Sequence, residues 1–387
     1  MDIKEAALKL HKELRGKIEI KSKYPIKSLE DLTLLYTPGV AAASMEIFKN
    51  KNLAYDYTSK WNTVAIVTDG SRVLGLGDIG PEAALPVMEG KALLFKLFGD
   101  VDAIPICLAT QDTDEIINIV KKIAPTFGGI NIEDIDSPRC FEIVDRLEKE
   151  LDIPVFHDDQ HGTGVVTLAA LSNALILVDK KLETVKIVIA GAGSAGTGVT
   201  KILLKAGAKN IIVTDSKGVI FSGRTENMNP YKEELANTTN PENLQGDVTE
   251  ALKGADVLIA LNGKPNSITV DMIRMMSKNP IVFALGNPEP EILPNDAKEC
   301  GAKIVATGRS DFPNQVNNSL AFPAIFRAVF DARLEKVTDE MKLAAAYAIA
   351  DFIPKDKLNE DYIVPRMTDK GLREKIVENI LRAANKN

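Results

Sequence analysis

The sequence is poor in cysteine and in histidine, with three residues of each among its 387. The cysteines, Cys107, Cys140 and Cys300, lie far apart in the chain. They form no CxxC pair, and their spacing does not fit a disulfide framework. This pattern is typical of a protein kept in a reducing compartment, and we expect a cytoplasmic location.

Basic clusters and long apolar runs are also missing. The formal net charge is −7, and no Lys/Arg block interrupts the chain. These features argue against nucleic acid or an anionic membrane surface as a partner, although a local basic pocket for a small anion is not excluded. The longest apolar run, residues 165–178, carries Ser172 and Asn173 and is too short to span a membrane. The N-terminus reads as a charged amphipathic helix without an apolar signal core.

Short apolar runs rich in β-branched residues alternate with longer helical patterns. Strands that are apolar along their whole length are covered on both faces, and alternation with helices predicts parallel α/β architecture. The predicted strands include residues 63–68, 103–109, 185–191, 210–215, 256–261, 280–286 and 303–307.

Three regions follow from this alternation. Residues 1–160 hold several strands and the acidic clusters, so we expect an N-terminal α/β domain there. Residues 161–320 repeat a regular pattern that predicts a Rossmann-type doubly wound domain, joined to the first by a helix over 162–179. Residues 321–387 are helical and are expected to pack back on the other two regions. The polar stretch 222–243 lacks strand periodicity and predicts a surface loop with one short helix.

The segment 185-VKIVIAGAGSAGTG-198 contains GxGxxG at Gly191, Gly193 and Gly196. It follows an apolar strand and opens a helix, which is the context that binds a dinucleotide. The first glycine permits a tight turn, the second lets backbone N–H groups approach a pyrophosphate, and the third lets the helix pack closely on its strand. Ser194 and Ala195 lie between these glycines. The pyrophosphate would lie at the helix N-terminus. The alternative is a glycine-rich turn in a domain that binds no nucleotide.

Asp215 ends the next strand and leaves the choice between NAD and NADP open. A carboxylate at this position accepts a hydrogen bond from the ribose 2′-hydroxyl of NAD. Ser216 and Lys217 follow at once and offer partners for a 2′-phosphate instead. Asp215 could also be a simple turn residue.

Two acidic pairs lie where predicted strands end. Glu133 and Asp134 follow one strand, and Asp158 and Asp159 follow another. Adjacent strand residues point to opposite faces, so both members of a pair can ligate one ion only beyond the strand. The carboxyl ends of parallel strands are where such sheets place their sites, and oxygen ligands suit Mg²⁺ or Mn²⁺. The competing interpretation is a set of surface acids at loop starts.

Two of the three histidines flank the second pair, in 157-HDDQH-161. Four-residue spacing on a helix would suit zinc, but Pro154 precedes the segment and Gly162 and Gly164 follow it. A strand, a turn and a helix start are therefore predicted, and we expect the histidines to orient the carboxylates rather than to bind zinc.

Three further residues are candidates for function. Lys91 lies in a helix among Met88, Ala92, Leu94 and Phe95, where desolvation would lower its pKa and make it a base. The alternative interpretation is that its side chain extends to the surface and keeps the ammonium in water. Arg72, in a glycine-rich loop, could clamp a carboxylate through two hydrogen bonds. Tyr36 precedes a Pro-Gly turn, where an anchoring role is the simplest interpretation and a phenol acid the alternative.

Taken together, these motifs resemble the malic enzyme family, in its short prokaryotic form. The resemblance spans nearly the whole chain in the order of the family. The motifs that carry it are 36-YTPGVA-41, 69-DGSRVLGLGDIG-80, 90-GK-91, 133-ED-134, 156-FHDDQHGT-163, 191-GAGSAG-196, 284-ALGNPEPE-291 and 317-NNSLAFP-323. We expect the phosphotransacetylase-like extension that some members carry to be absent after residue 387. The larger members carry an asparagine before the paired aspartates, and this chain has His157 there, which leaves the role of that histidine open.

The resemblance implies oxidative decarboxylation of L-malate to pyruvate and CO₂ with reduction of NAD⁺ or NADP⁺, in the presence of Mg²⁺ or Mn²⁺. Oxaloacetate decarboxylation would be a partial activity, and the family suggests a homodimer or a higher homo-oligomer. The implied roles are a base (Lys91), an acid (Tyr36), a carboxylate beside the base (Asp158), metal ligands (Glu133, Asp134 and Asp159), and substrate or nicotinamide contacts (Arg72, Asn287, Asn317 and Asn318).

Two other functions compete with this interpretation. A dehydrogenase for another substrate, such as an amino acid or methylene-tetrahydrofolate, would need no acidic metal cluster. A regulatory protein that senses NAD(P) would bind the cofactor without turnover. The apparent completeness of the acid, base and metal set favours the enzyme.

Overall fold

Two β-sheets, the second parallel except for one short edge strand, organise the chain in a computed structural model that describes residues 3–385. The strands are β1 (Thr63–Thr68), β2 (Asp102–Cys107), β3 (Gly129–Ile132), β4 (Val155–His157), β5 (Lys186–Ala190), β6 (Asn210–Asp215), β7 (Gly218–Val219), β8 (Val257–Ala260), β9 (Ile281–Ala284) and β10 (Ile304–Thr307). The α-helices are α1 (Ile3–Leu14), α2 (Leu29–Leu35), α3 (Val40–Lys49), α4 (Ala54–Tyr57), α5 (Gly80–Gly99), α6 (Thr113–Ile123), α7 (Arg139–Glu150), α8 (Thr163–Leu177), α9 (Ser194–Lys205), α10 (Pro230–Thr238), α11 (Val248–Leu252), α12 (Val270–Arg274), α13 (Pro294–Glu299), α14 (Phe322–Asp331), α15 (Asp339–Ala350) and α16 (Leu372–Ala384).

The first sheet has the order β2-β1-β3-β4, and its three strand pairs are all parallel. Strand β1 is one of the two inner strands and is buried on both faces of the sheet. Successive side chains of a strand point to opposite faces. Val64 and Ile66 pack into the large core that includes α5 and α8, whereas Ala65 and Val67 pack against α6 and α7. The uninterrupted apolar run of β1 therefore reflects two cores rather than one.

The second sheet has the order β10-β9-β8-β5-β6-β7, with only the short β7 antiparallel. Strand β5 begins the unit and lies between β6 and β8, so the chain reverses direction across the sheet at the β5/β8 boundary. Ligands of open α/β sheets bind in the crevice at such a boundary, outside the carboxyl ends of the strands. This sheet is the predicted Rossmann-type unit, and the α/β fold class is confirmed.

Helix α8 links the two sheets and is almost entirely buried. The C-terminal helices pack back around it, since α15 lies against both α8 and α16. Asn173, in the middle of α8, donates its side-chain amide to the carbonyl oxygens of Ala350 and Ile363, at 3.0 and 2.9 Å. These contacts agree with the packing expected of residues 321–387, and the division at about residues 160 and 320 stays our proposal.

The N-terminal helices α1 to α4 contribute no buried residue. In the described residues, 17 of the 26 exposed large hydrophobic side chains lie between Ile3 and Tyr57. The segment is held to α5 by Lys17, whose ammonium donates to the carbonyl oxygen of Pro86 at 2.7 Å. Exposed apolar surface of this extent marks a site of interaction with another molecule.

The predicted elements and the observed ones differ mainly at their ends. Helix α8 covers 163–177 where 162–179 is predicted, and α10 is the short helix expected within 222–243. Helix α9 starts at Ser194, so Ala195 and Gly196 of the glycine-rich segment already belong to it, whereas Gly193 is its N-cap and has an extended backbone. All three cysteines are free thiols. Among residues 3–385, no helix has the length and apolar character to cross a membrane.

Candidate active site

A cleft of about 500 Å³ opens between the carboxyl ends of the two sheets. It brings together residues from distant parts of the sequence, including eleven of the predicted site residues. These are Arg72, Lys91, Glu133, Asp134, Asp159, Gly193, Ser194, Ala195, Asn287, Asn317 and Asn318. The cleft is therefore lined by basic, acidic and amide side chains together with the glycine-rich turn.

Lys91, on α5, lies at the bottom of this cleft with 9% of its surface exposed. Its ammonium forms an ion pair with Asp158 and lies 2.9 Å from Glu133 Oε1. Burial by itself lowers the pKa of Lys91, but the negative charges of Asp158 and Glu133 outweigh burial and raise it above the usual value. The predicted desolvation is confirmed. The predicted fall in pKa is wrong, because it considered burial alone and left out the charge of Glu133 and that of Asp158, which the family resemblance already placed beside Lys91.

The carboxylates of Glu133, Asp134 and Asp159 form one group, with one oxygen of each lying within 4.8 Å of the others. Strand β3 ends at Ile132, and Asp134 adopts a left-handed backbone with φ 50°. This bend lets two consecutive side chains reach the same group, which a continuing strand would forbid. The backbone N–H of Asp134 donates to Asp159 Oδ2 at 3.2 Å and joins the two strand ends.

This acidic group is short of compensating charge. Burial, together with the neighbouring Asp159 charge, raises the pKa of Asp134 to about 8. Burial raises the pKa of Asp158 to about 6, although Lys91 opposes the rise, and burial also raises the pKa of Glu133. Asp134 Oδ2 is buried and has no hydrogen-bond partner among residues 3–385. Hard oxygen donors with unrelieved repulsion and an unused acceptor fit a divalent cation such as Mg²⁺ or Mn²⁺.

The second acidic pair lies on a single π-helical turn, Asp158–Gly162, between β4 and α8. In this turn, the side chain of Asp158 points to Lys91, whereas the side chain of Asp159 joins those of Glu133 and Asp134. Gly162 has no side chain because a Cβ there would lie 2.0 Å from Asp158 Oδ1.

The two histidines do not form a zinc pair. His161 Nδ1 accepts a hydrogen bond from the backbone N–H of His157 at 3.3 Å, so it holds the turn and not a carboxylate. His157 Nε2 faces Asp159 Oδ2 at 3.6 Å, beyond hydrogen-bond distance. The expected orientation of carboxylates by histidines therefore agrees with the direction of His157 and is wrong for His161.

The glycine-rich turn forms a cradle beside this acidic group. Gly191 has φ 129°, which favours glycine, and a Cβ at Gly196 would lie 1.8 Å from the Gly191 carbonyl oxygen. A Cβ at Gly193 would have only Ser137 Oγ within 4 Å, at 3.9 Å, and Ser194 and Ala195 begin α9. Free backbone N–H groups at the start of a helix bind phosphate, so the turn fits the pyrophosphate of a dinucleotide.

Asp215 lies at the end of β6, next to Gly191, whose N–H donates to Thr214 O at 2.9 Å. Both of its oxygens are already bound within the chain. Arg224 donates to them at 2.7 and 2.9 Å, Lys232 at 2.7 Å, Asn227 at 2.9 Å and the Lys217 N–H at 2.8 Å. Burial raises the pKa of Asp215, but Lys232 and the other donors outweigh burial and lower it. The carboxylate therefore stays ionised inside a cationic cage.

The predicted substrate residues lie on both walls of the cleft. Arg72 belongs to the loop after β1, and its N–H donates to Asp134 O at 3.0 Å. Asn287 belongs to the loop after β9, and a Cβ at Gly75 would lie 2.6 Å from its carbonyl oxygen. The two walls thus touch at this point. Asn317 and Asn318 precede α14 and complete the far side.

Tyr36 is not brought to the cleft. It caps the C-terminus of α2 and is 70% exposed. Within residues 3–385 the ring belongs to no hydrophobic core cluster, so its exposure does not fit the anchoring role expected from the sequence.

Sequence reasoning missed several residues that shape the cleft. Asp136, Ser137 and Gly263 line it. Glu291 is fully buried, and its two oxygens accept from Gly286 N and Gly263 N at 2.9 and 3.0 Å. Glu291 thereby ties together two loops that carry cleft residues. Glu291 belongs to the motif 284-ALGNPEPE-291 that carries the family resemblance, but no role was predicted for this residue.

Comparison with known proteins gives a consistent result over both halves of the chain. Residues 15–148 match the family model described as malic enzyme, N-terminal domain, and residues 160–384 match malic enzyme, NAD binding domain. The chain is 51% identical over 384 residues to the bifunctional malic/malolactic enzyme of Bacillus subtilis, covering 99% of this chain and 93% of that one. It is 55% identical over 369 residues to the NAD-dependent malic enzyme of Geobacillus stearothermophilus, covering 95% and 77%.

Solved structures give the same result. The crystal structure of the NAD-dependent malic enzyme of Thermotoga maritima superimposes with a TM-score of 0.93 at 49% identity, covering 97% of this chain and 98% of that one. The malic enzyme of Pyrococcus horikoshii superimposes with a TM-score of 0.94 at 49% identity, covering 100% and 91%.

Proposed function

Because this chain belongs to the malic enzyme family, whose activity is the NAD(P)-dependent oxidative decarboxylation of malate, we propose that the cleft performs this reaction with a divalent metal ion. The observation that carries the proposal is the contact of Lys91 with Asp158 and Glu133 beside a three-carboxylate group. The cofactor cradle opens into the same cleft. A base, a cation site and a hydride-acceptor site thus meet in one place.

Glu133, Asp134 and Asp159 would hold the metal, and Mg²⁺ or Mn²⁺ fits their donor set. Asp158 would stay outside this set because its ion pair with Lys91 commits it to the base. When bound, the cofactor supplies the hydride acceptor, and the metal ion supplies Lewis-acid polarisation of the substrate oxygens.

The residues of the chain would divide the proton transfers between them. Lys91 acts in its neutral form, so its ammonium loses a proton before the reaction begins, and a divalent ion bound to Glu133 would offset one of the two charges that raise the pKa of Lys91. The neutral amine then takes the proton of the malate C2 hydroxyl as the C2 hydride leaves, which gives oxaloacetate. Asp158 stabilises the ammonium that results. After CO₂ is lost, Tyr36 donates a proton to C3 and pyruvate forms. Arg72 and the asparagines Asn287, Asn317 and Asn318 would hold the substrate carboxylates and the nicotinamide amide.

The environment of Asp215 favours acceptance of NADP⁺. The hydrogen bonds of Arg224, Lys232 and Asn227 occupy its oxygens, so a ribose 2′-hydroxyl finds no free acceptor there. Two cations surround one anion, which leaves net positive charge for a 2′-phosphate. Lys217 contributes less, because its ammonium pairs with Glu226 at 2.9 Å.

Tyr36 would act in the cleft of a second copy. The cleft of one chain contains a base but no tyrosine among its lining residues in the described part of the sequence, while Tyr36 lies on exposed helices with unpacked apolar faces. Leu74 and Leu76, in the loop that borders the cleft, are exposed as well. A symmetric homodimer that buries these surfaces would bring Tyr36 to the cleft of its partner.

The experiment that tests this function is a spectrophotometric assay at 340 nm with malate and Mn²⁺, comparing NAD⁺ with NADP⁺. We expect cofactor reduction that stops after chelation and returns with Mn²⁺. Lys91→Ala should lower malate oxidation by about 10² to 10⁴-fold, as loss of a general base does. The same variant should retain oxaloacetate decarboxylation, which needs no hydroxyl proton removed. Full activity after exhaustive chelation, or near-normal oxidation by Lys91→Ala, would overturn the proposal.

A further inference from the structure

The ammonium of Lys91 has a third neighbour besides its two carboxylates. Its Nζ lies 4.5 Å from the centroid of the Phe322 ring. Phe322 is fully buried, and Lys91 is 9% exposed, so the contact is screened from water. A cation over an aromatic ring is stabilised by the negative face of the ring, and the effect grows when the pair is desolvated.

Phe322 is held in place by the same helix that carries Lys91. Its ring packs on Phe95, with centroids 4.5 Å apart, and Phe95 lies one helical turn after Lys91 on α5. Residues four apart on a helix share a face, so one ring contacts both. Phe322 is also the first residue of α14 and follows Asn317 and Asn318 of the cleft wall. The ring therefore links the position of the base to the proposed substrate ligands.

A flexible lysine needs such a contact. The side chain has four rotatable bonds, and a base must lie within hydrogen-bond reach of the proton that it removes. Glu133 belongs to the carboxylate group proposed to hold the metal, which leaves Asp158 and the ring face as the contacts dedicated to Lys91. Asp158 contacts one side of the Lys91 ammonium, and the face of the Phe322 ring covers another side.

We propose that Phe322 is a positioning residue whose ring face seats the Lys91 ammonium against Asp158 and directs it toward the substrate hydroxyl. This inference rests on the proposed role of Lys91 as base. Phe322 touches no reacting atom, and it acts only through Lys91.

The chain offers a matched control in Phe326. This residue lies one turn later on α14, is also fully buried, and also packs on Phe95, with centroids 5.2 Å apart. Its ring makes no contact with Lys91 among the described cation–ring pairs. Phe322→Leu and Phe326→Leu therefore remove similar buried rings, and only the first removes the ring beside the base. Phe322→Met, which conserves more volume, serves if the leucine variant folds poorly.

The test is steady-state kinetics of both variants with malate, NADP⁺ and Mn²⁺, together with melting temperature and calorimetric Mn²⁺ affinity. We expect similar losses of melting temperature and unchanged Mn²⁺ affinity. We expect kcat of Phe322→Leu to fall about 30-fold, with KM for malate within about threefold, as loss of a desolvated cation–ring contact implies. The kcat of Phe326→Leu should stay within about threefold. The deuterium isotope effect on kcat with C2-deuterated malate should rise only in Phe322→Leu.

Equal losses of kcat in the two variants, or an effect of Phe322→Leu on KM alone, would overturn the positioning role. A wild-type enzyme that oxidises malate with neither NAD⁺ nor NADP⁺ would instead contradict the proposed function, so the two failures are distinguishable.

Discussion

Gly198, in the helix that begins at the cofactor cradle, lies against the backbone of Gln160 in the Asp158–Gly162 turn. A Cβ at Gly198 would be 2.0 Å from the Gln160 carbonyl oxygen. The cofactor helix and the turn that carries Asp158 and Asp159 are therefore in direct backbone contact. The position of the dinucleotide and that of the acidic group depend on the same close approach.

Replacement of this glycine should reverse the usual effect of alanine in a helix. Alanine is favoured over glycine in helix interiors by about 1 kcal/mol. At Gly198 the added Cβ must displace backbone, so we expect Gly198→Ala to lower the free energy of unfolding and to weaken cofactor and Mn²⁺ binding together. Gly90, in the interior of α5, has nothing within 4 Å of its Cβ position, so Gly90→Ala should keep or raise stability. Chemical denaturation measures both, and stabilisation by Gly198→Ala would contradict the close contact.

The acidic group predicts how stability depends on pH without metal. The pKa of Asp134 is raised to about 8 and that of Asp158 to about 6, against about 3.9 in an unfolded chain. The folded state then binds protons more tightly than the unfolded state between these values. The free energy of unfolding should fall as pH rises through this window, by up to about 1.4 kcal/mol per pH unit for each group.

Bound Mn²⁺ should offset that loss, and its stabilising effect should grow as pH rises toward 8, because protons and the metal compete for the same oxygens. Melting temperatures from pH 5.5 to 8.5, with chelator and with Mn²⁺, measure both effects. Asp134→Asn is the control, since it removes the titrating group. If the melting temperature of Asp134→Asn depends on pH as steeply as that of the wild type, other residues cause the pH dependence.

The cage around Asp215 predicts that Lys232 matters for NADP⁺ more than for NAD⁺. Lys232→Gln should lower kcat/KM for NADP⁺ by about tenfold or more, because a charge-assisted contact to phosphate is worth about 1.5 to 3 kcal/mol. The kcat/KM of the same variant for NAD⁺ should change by less than about threefold. Lys217→Gln, which removes an ammonium paired with Glu226, is the control and should leave the ratio between cofactors nearly unchanged. Equal losses with both cofactors would show that Lys232 only supports the loop.

A shared site predicts complementation between two inactive variants. Tyr36→Phe and Lys91→Ala should each lose about 10² to 10⁴-fold in malate oxidation. If Tyr36 serves the partner, a mixed dimer has one doubly defective site and one intact site. Equimolar subunit exchange should then recover about one quarter of wild-type activity, because half of the dimers are mixed and each has one working site. Mass-tagged subunits confirm the exchange, and mixed dimers without activity would place Tyr36 in the cleft of its own chain.

Much of this protein could be predicted from its sequence because the determining signals are local. The apolar runs of β1 and β5 predicted their strands to within a residue, since a strand buried on both faces must be apolar throughout. The GxGxxG spacing predicted the cofactor turn, because each glycine is required by its immediate surroundings: a tight turn, a close approach to phosphate, or close packing of helix on strand. The acidic pairs were predicted as partners because the carboxyl ends of parallel strands meet at one edge.

What only the tertiary structure decided concerns partners that are distant in sequence. Asp158 and Glu133 raise the pKa of Lys91 where burial alone predicted a fall, and 67 residues separate Lys91 from Asp158. Arg224, in the loop before α10, and Lys232, on α10, both bind Asp215, although the polar stretch 222–243 predicted only a surface loop with one short helix. Local sequence determines which residues form an element and which face is buried. The sign of an electrostatic effect depends on which charges the folded chain brings within a few ångströms, and no local pattern contains that information.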